Sequence, residues 1–464
     1  MLYTKPMAAN DAVCFMPATE LVEAYRRRDL SPVDVVERML ARIAAINPTI
    51  KAYYQVDESG ARAAAQAAER RWAAGAPAGP LDGVPVSIKD HLHTKGLANP
   101  RGSFINAMTP AEFDAPVVAR LRESGAVILG KTTMPELSVI PVTTSIAFGA
   151  TLNPWDINHS PGGSSGGAAA ALAAGLCTLA IGTDGGGSIR LPAGFTGLFG
   201  LKPTLGRVPY WPGQTDRTVA GPLARTAADA GLAMNVIARP DGRDWMELPP
   251  DETNYRAAAD RPVKGLRIGY SPDFGFAKVA PDVVRVVDRA VERLAGLGCV
   301  VERIGQVGFD AFDIYMIQAA LRLSGMRQGP DAPKLARFPR AVHSVLDLAE
   351  RIGVADVQRM LDGRNRIGDA LLALFRRFDV IVSPTAPTDA PPIGMYYPDD
   401  EIDSATNRNL LAFTCPFNLV HMPAASAHCG IGDRGLPVGL QIAGPKFSDA
   451  TLIALGAHVA ATDD

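Results

Sequence analysis

The sequence has few cysteines, few aromatic residues and no run of charge of one sign. Its 464 residues include five cysteines, and aromatic residues make up only 6%. The 46 lysines and arginines nearly balance 48 aspartates and glutamates, which gives a formal net charge of −2. A chain without a basic segment is not typical of nucleic-acid-binding proteins. We therefore expect no direct contact with a nucleic acid.

The cysteines form no pair with the spacing of a redox or metal motif. Widely separated cysteines in mostly apolar surroundings are typical of reduced core residues in a cytoplasmic protein. Residues 1–16 also lack the charged start and apolar segment of a signal peptide. The sequence therefore predicts a cytoplasmic protein. The five positions are Cys14, Cys177, Cys299, Cys415 and Cys429.

One long segment, from Gly166 to Thr183, carries no charge. Its alanines and glycines favour a short helix over 168–174, stopped by Gly175, and then a buried strand over about 176–181. Neither piece approaches the roughly 20 residues that a membrane-spanning helix needs. We therefore expect a soluble protein without a membrane segment.

Helical and strand patterns alternate along the chain. Ser31-Pro32 predicts a helix start, and apolar residues continue at helical spacing to Asn47-Pro48. Further helices are expected over about 117–123 and 281–295, and a helical block over about 309–377. Strands are expected over 83–88, 127–129, 266–270, 300–304 and 380–382. Such alternation indicates an α/β protein with an extended mixed or parallel sheet, and the segment 239–262 is expected to be a surface excursion.

Three separated motifs place hydroxyl or amine groups beside glycine-rich backbone. They are Gly83-Val-Pro-Val-Ser-Ile-Lys-Asp90, Pro161-Gly-Gly-Ser-Ser-Gly-Gly167 and Thr183-Asp-Gly-Gly-Gly-Ser-Ile-Arg190. Ser188 follows three glycines, whose missing side chains let backbone N–H groups approach a reacting oxygen. Lys89 ends an apolar strand, and burial favours the neutral form of a lysine. A nucleophilic hydroxyl, a second hydroxyl and a base of lowered pKa together indicate acyl-transfer chemistry.

These motifs resemble those of the amidase signature family, serine hydrolases with a Ser-Ser-Lys triad. The spacing is also similar, with 75 residues from Lys89 to Ser164 and 24 from Ser164 to Ser188. The resemblance extends to Gly200-Leu-Lys-Pro-Thr204, Gly221-Pro-Leu-Ala-Arg-Thr226 and Gly435-Leu-Pro-Val-Gly-Leu-Gln441. It implies one α/β domain over residues 1–464, with a central mixed sheet flanked by helices on both faces. The signature core would span about 80–230, and a variable helical region at about 305–378 would wall the substrate pocket.

The resemblance also implies the role of each site residue. Ser188 is expected to be the nucleophile, Ser164 the proton relay and Lys89 the base. In the family the first serine of the Gly-Gly-Ser-Ser-Gly-Gly run follows a cis peptide bond. The backbone amides of Gly185, Gly186 and Gly187 are expected to hold the oxyanion, and the supporting residues are expected to be Ser165, Asp184 and Arg190.

The histidines carry a weaker signal. His91 and His93 lie just past Lys89, but two histidines at this spacing without a third ligand are poor evidence for a metal site. A Ser-His-Asp triad would need a nucleophile-elbow pattern that the sequence lacks. We therefore expect no metal and no cofactor. His91 and His428 depart from the residues usual in the family, and His91 is expected to shape the pocket.

The motifs leave the substrate open. The first interpretation is an amidase that converts a carboxylic amide to an acid and ammonia or an amine, as a stand-alone chain that can form a homodimer. The alternative is the A subunit of a glutamine-dependent tRNA amidotransferase, in which the same triad releases ammonia from glutamine. Apolar pocket residues are expected among Met134, Phe148, Tyr210, Trp211, Met316 and Leu321.

Overall fold

The structure is a computed structural model that describes residues 3–5, 9–104, 108–213, 216–329, 332–394 and 405–459. In these ranges none of the helices combines the length and the apolar character needed to cross a membrane. The five cysteines are all buried and unpaired with one another. This burial without disulfides agrees with the prediction that the cysteines are reduced core residues.

Fifteen α-helices and four short 3₁₀-helices lie within the described residues. The 3₁₀-helices span Ala9–Phe15, Glu136–Ser138, Met326–Gln328 and Ala332–Arg337. The α-helices are α1 (Ala18–Arg27), α2 (Pro32–Ile50), α3 (Glu58–Ala73), α4 (Pro116–Glu123), α5 (Gly166–Ala173), α6 (Arg190–Thr196), α7 (Ala227–Ile237), α8 (Tyr255–Ala258), α9 (Pro281–Gly296), α10 (Phe312–Leu321), α11 (Arg340–Arg351), α12 (Val354–Phe375), α13 (Ala405–Leu410), α14 (Cys415–Leu419) and α15 (Asp449–Val459).

Thirteen strands lie in the same ranges, and eleven of them form one sheet. The strands are β1 (Tyr53–Val56), β2 (Pro85–Lys89), β3 (Val127–Thr132), β4 (Thr144–Ser145), β5 (Gly149–Ala150), β6 (Leu179–Asp184), β7 (Phe199–Lys202), β8 (Val219–Ala224), β9 (Arg267–Tyr270), β10 (Val300–Arg303), β11 (Val380–Pro384), β12 (Ala424–Ile431) and β13 (Pro437–Ala443). The strand order in the large sheet is β1-β3-β2-β6-β8-β7-β12-β13-β11-β9-β10.

The large sheet is mixed, as the sequence predicted. Strand β2 pairs in parallel with both β3 and β6, whereas β6, β8, β7, β12, β13 and β11 pair antiparallel in turn. Parallel pairing returns at the far edge, among β11, β9 and β10. Because the carboxyl ends of parallel strands meet at one edge of a sheet, β2 and β6 end at the same edge. Their last residues are Lys89 and Asp184.

Helices cover the sheet, and neighbouring residues of one strand pack into different clusters of the core. Ile128 and Ile181 belong to one apolar cluster, while Leu129 and Ala180 belong to a second cluster that includes α2 and α5. A third cluster joins α10, α11 and α12 to the rest of the protein. Alternate residues of a strand point to opposite faces, so the first two clusters are the two sides of the sheet. The fold is therefore the predicted single large α/β domain.

Several expected boundaries differ in the structure, and three of them concern the site or the core. The strand expected at 176–181 is β6, Leu179–Asp184, so it runs directly into the glycine turn before Ser188. Helix α2 begins at the predicted Ser31 cap but continues past Pro48 to Ile50. The expected surface excursion 239–262 contains the short helix α8, whose first residue, Tyr255, is buried against the core. Periodicity could not detect α8 because it is only one turn long.

Candidate active site

Lys89 is the last residue of β2, and its side chain is fully buried. Its Nζ lies 2.8 Å from Ser164 Oγ, 2.9 Å from Thr183 Oγ1 and 3.4 Å from the Thr183 carbonyl oxygen. Burial lowers the pKa of Lys89 to about 7, against the opposing attraction of Asp184 and Asp90. Near neutral pH a substantial fraction of this lysine is therefore an uncharged amine.

The partners of this amine differ in chemistry. The Thr183 carbonyl oxygen can only accept a hydrogen bond, and Thr183 Oγ1 is placed to accept one from Nζ. With both N–H bonds of a neutral amine directed at Thr183, the nitrogen lone pair is left for the Ser164 hydroxyl. This arrangement can take a proton from Ser164.

The segment 162–165 brings both serines of the second motif into the site. The Gly163–Ser164 peptide bond is cis, as the family resemblance implied for this serine. Ser165 Oγ donates to the Thr183 carbonyl oxygen and accepts from the Thr183 amide, at 3.1 and 3.3 Å. Its own amide donates to the Ser188 carbonyl oxygen at 3.2 Å. Ser165 thus joins the serine loop to the loop that carries Ser188.

The turn between β6 and α6 is held by the carboxylate of Asp184. This carboxylate accepts the backbone amides of Gly187 at 2.7 Å and Ile189 at 3.2 Å. Burial alone would raise the pKa of Asp184, but the adjacent Arg190 guanidinium outweighs it and holds the pKa below its ordinary value. The carboxylate is therefore ionised and organises the loop around Ser188.

Arg190 is fully buried, and its guanidinium is surrounded by acceptors. It forms two bonds of 3.0 Å to Asp184. It also donates to the Thr414 carbonyl oxygen at 2.9 Å, to Gln441 Oε1 at 2.8 Å and to Asn418 Oδ1 at 2.5 Å. All of its donors are used inside the protein, so Arg190 supports the loop rather than binding substrate.

One of the three expected oxyanion donors has another partner in the structure. The Gly187 amide donates to Asp184, because this residue turns back toward the carboxylate with φ of 131°. A Cβ at Gly187 would lie 2.5 Å from Thr414 Oγ1, so the site requires glycine. Gly185, Gly186 and Ser188 line the cavity described next, and Gly187 is not among its lining residues. The expected donor set is therefore reduced to Gly185 and Gly186.

A cavity with about 730 Å³ of unfilled space, counting its open mouth, lies over these residues. Ser164, Thr183 and the partly exposed Ser188 form its base. Of the six apolar residues expected to line a pocket, only Met316 does so. The apolar part of the wall comes instead from Val139, Ile140, Pro141, Met316, Ala319, Val345 and Leu411.

His91 and His93 are not placed as a metal pair. His91 lines the cavity, with Nδ1 at 3.4 Å from Thr183 Oγ1 and Nε2 at 3.2 Å from an Arg101 nitrogen. Burial lowers the pKa of His91 well below its ordinary value, and repulsion from Arg101 lowers it further, so the ring is neutral. His93 stacks on Phe113 at 4.9 Å. Within the described ranges, no group of three or more His, Cys, Asp and Glu side chains is arranged to hold a metal ion.

His428 lies away from this site, on β12, with its ring 6.4 Å from that of Trp155.

Several residues of the site were missed by sequence reasoning. Thr183 was part of a quoted motif, but nothing in the pattern indicated its contact with Lys89. Thr414 and Asn418 lie 224 and 228 positions beyond Arg190, in a segment with no recognisable motif. Arg217 and Arg322 line the cavity and carried no signal that distinguished them from the other arginines.

Comparisons with known proteins show which family this chain is similar to. The family model described as Amidase matches residues 34–453. The A subunit of a glutamyl-tRNA(Gln) amidotransferase from Acidothermus cellulolyticus is 37% identical, over 96% of this chain and 94% of its own. An acylamidase from Rhodococcus erythropolis is 34% identical, over 96% and 94%. The solved structure of a bacterial aryl acylamidase of the amidase signature family superposes with a TM-score of 0.88 at 28% identity, covering 97% of this chain and 96% of that one.

The match therefore extends over nearly the whole chain. On this evidence the chain belongs to the amidase signature family, whose members are hydrolases of amide C–N bonds.

Proposed function

We propose that this chain hydrolyses a carboxylic amide through an acyl-enzyme on Ser188, with Ser164 as the proton relay and Lys89 as the base. The observation that carries the proposal is the buried Lys89 amine, of lowered pKa, at 2.8 Å from Ser164 Oγ. Ser164 and Ser188 line the same cavity. A general base is most effective when its pKa is close to the working pH.

In the proposed reaction Ser188 Oγ attacks the amide carbon and forms a C–O bond. Its proton passes to Ser164, whose own proton passes to Lys89. The oxyanion is held by the amides of Gly185 and Gly186, and each such donor typically contributes about 10²–10³-fold in rate. The C–N bond then breaks as the leaving nitrogen takes up the proton, and water cleaves the acyl-enzyme to release the acid and free Ser188.

Two functions of this chemistry remain in competition. A stand-alone amidase is supported by the likeness to the acylamidase and the aryl acylamidase. The A subunit of a tRNA amidotransferase, which would use glutamine as its amide, is supported by the likeness to the Acidothermus protein. Similarity over the catalytic core does not separate them, because both functions use the same core.

The deciding experiment is an assay of ammonia or amine release by the purified chain on a panel of amides. Turnover of simple amides without any partner supports the stand-alone enzyme. The amidotransferase is supported if glutamine is the one amide of the panel that is cleaved and if its cleavage requires added partner subunits. Ser188→Ala should abolish activity without unfolding the protein, as followed by circular dichroism. Ser344→Ala is the matched control, because the Ser344 hydroxyl donates to the Arg340 carbonyl oxygen within α11 and the residue does not line the cavity.

Other expectations stay predictions. They are a cytoplasmic location, the absence of a cofactor and of nucleic-acid contact, and the capacity to form a homodimer.

A further inference from the structure

The cavity wall carries two guanidinium groups. They belong to Arg217, in the segment before β8, and to Arg322, at the end of α10. Among the described residues that line the cavity, none is an aspartate or a glutamate. Buried cations without a matching anion are costly, so an uncompensated pair in a substrate cavity points to a ligand.

Arg217 is 5% exposed and lies over the ring of Tyr315, with its guanidinium carbon 5.0 Å from the ring centre. One terminal nitrogen donates to the Gly185 carbonyl oxygen. That carbonyl is the only hydrogen-bond acceptor that the described residues offer to this guanidinium. Arg217 is therefore fixed next to the glycine turn with donors left for a ligand.

Arg322 is held from the other side. One terminal nitrogen donates to the Leu137 carbonyl oxygen at 2.5 Å, and its buried Nε has no partner among the described residues. Burial, followed by repulsion from Arg217 and Arg101, lowers the pKa of Arg322 to about 9, so it stays charged at neutral pH. Both guanidiniums thus contribute positive charge to one cavity.

Three acids lie on segments that adjoin the cavity. Asp184 is paired with Arg190 behind the glycine turn. Asp216 pairs with Arg364 and accepts from Gln318. Glu136, the first residue of the 3₁₀-helix Glu136–Ser138, is buried and accepts the Ile146 amide, and burial raises its pKa to about 7. None of the three lines the cavity.

We propose that the cavity selects amides that carry a carboxylate, bound by Arg217 and Arg322, over neutral amides and over zwitterions such as glutamine. The inference rests on the proposed amide hydrolysis. A guanidinium offers a planar pair of donors that matches a carboxylate, and the apolar wall fits the methylene groups between that carboxylate and the amide. An α-ammonium group would meet two cations and no described acid.

The test uses the purified chain and pairs of substrates of equal shape. Glutaramate is compared with 5-methylhexanamide, in which a neutral isopropyl group replaces the carboxylate, and with glutamine, which adds an α-ammonium. N-butanoylglycine and N-(2-methylpropyl)butanamide place the same difference on the amine half. We expect kcat/KM to favour the carboxylate in one of these pairs by about 10- to 100-fold, the effect of hydrogen bonds to a charged group. Equal or reversed values in both pairs, or a preference for glutamine over glutaramate, would overturn the proposal.

Substitutions of Arg217 and Arg322 test whether these residues cause the preference for carboxylate-bearing amides. Arg322→Gln and Arg217→Gln should each reduce the ratio of kcat/KM between the charged and neutral substrates toward one, and Arg322→Lys should retain part of it. Arg359→Gln, at an exposed ion pair on α12, is the matched control and should keep the wild-type ratio. If Arg322→Gln and Arg217→Gln both kept the wild-type ratio of kcat/KM between charged and neutral substrates, the assignment would be contradicted.

A second measurement does not depend on turnover. A fluorophosphonate probe is used to label Ser188, and butanoate or glutarate is added as a competitor, with butanamide as the neutral comparison. Protection by the carboxylates that is lost in Arg322→Gln supports the proposal, whereas labelling without protection overturns it and leaves the proposed hydrolysis intact. If Ser188 is not labelled and no amide is cleaved, the proposed function itself fails.

Discussion

Lys89 Nζ lies 2.9 Å from Thr183 Oγ1, and the two residues lie at the ends of adjacent parallel strands. This pairing is a direct result of sheet topology, because β2 and β6 are joined along their length and end at the same edge. It fixes the amine so that one direction, toward Ser164, is left for proton exchange.

The first prediction concerns the pH dependence that Lys89 imposes. Because the base must be neutral, kcat/KM should rise with pH through a midpoint near 7 and be lost as the pH falls below it. Lys89→Ala should lose about 10²–10⁴-fold, and Lys89→Arg should fare no better because a guanidinium cannot take up the proton. The measurement is a pH series of kcat/KM on the preferred amide.

The control for this prediction is Lys131→Met. Lys131 is also fully buried, and burial lowers its pKa to about 8, but its amine contacts the Leu92 carbonyl and Thr94 away from the cavity. Lys131→Met is expected to lower the free energy of unfolding and to keep the midpoint of the pH dependence of kcat/KM near 7. An active Lys89→Arg enzyme would show that position 89 supplies only positive charge.

The second prediction tests Thr183. Thr183→Val keeps the shape of the side chain and removes the hydroxyl that Lys89 and His91 contact. We expect kcat/KM to fall about tenfold, the effect of one hydrogen bond, and the midpoint to move to lower pH because the ammonium form loses an acceptor. Thr178→Val removes a buried hydroxyl that has no partner in the described ranges, and it should change neither quantity. An unchanged midpoint in Thr183→Val would show that Thr183 does not position the base.

The third prediction concerns the buried ion pair between Asp184 and Arg190. Arg190→Met leaves a buried carboxylate without its cation, which should lower the free energy of unfolding by about 3–5 kcal/mol. Because the folded-state pKa of Asp184 is lowered, its contribution to stability is present above about pH 4 and declines as the pH falls further. Urea unfolding at pH 7 measures the loss. Arg359→Met, at an exposed pair, should cost less than about 1 kcal/mol, and an equal cost in both variants would contradict the prediction.

The fourth prediction is that chelators leave activity unchanged. The proposed reaction places the oxyanion on backbone amides and gives a metal no role. Dialysis against EDTA followed by an activity assay tests this. Loss of activity that zinc restores would make His91 and His93 candidates for ligands again.

Local backbone requirements explain what the sequence could predict. Lys89, Ser164 and Ser188 each lie next to strands or glycines whose conformational needs are visible in the letters themselves. The partners of Arg190 could not be found in this way, because Thr414, Asn418 and Gln441 reach it only through the pairing of distant segments. No local pattern records those contacts.

The cavity wall shows a different limit of sequence reasoning. Hydrophobicity selected Met316 and Leu321 on α10, but the residues that line the cavity are Tyr315, Met316, Ala319 and Arg322. These positions recur at three- and four-residue intervals, so they share one side of the helix, and Leu321 lies on another. Helical periodicity was therefore informative about the wall, whereas apolar character was not.

Helix α10 packs separately from the strands of the active site, and this affects how substitutions can change the substrate range of the protein. The helix belongs to the apolar cluster with α11 and α12, whereas the strands that carry Lys89 and Thr183 are anchored in the clusters on the two sides of the sheet. Exchanges at positions 316, 319 and 322 can therefore alter which molecule enters without moving the reacting atoms, whereas Tyr315 packs against Gly186 of the glycine turn. Directed evolution of a new substrate range in this chain is best begun with a combinatorial library at these three codons.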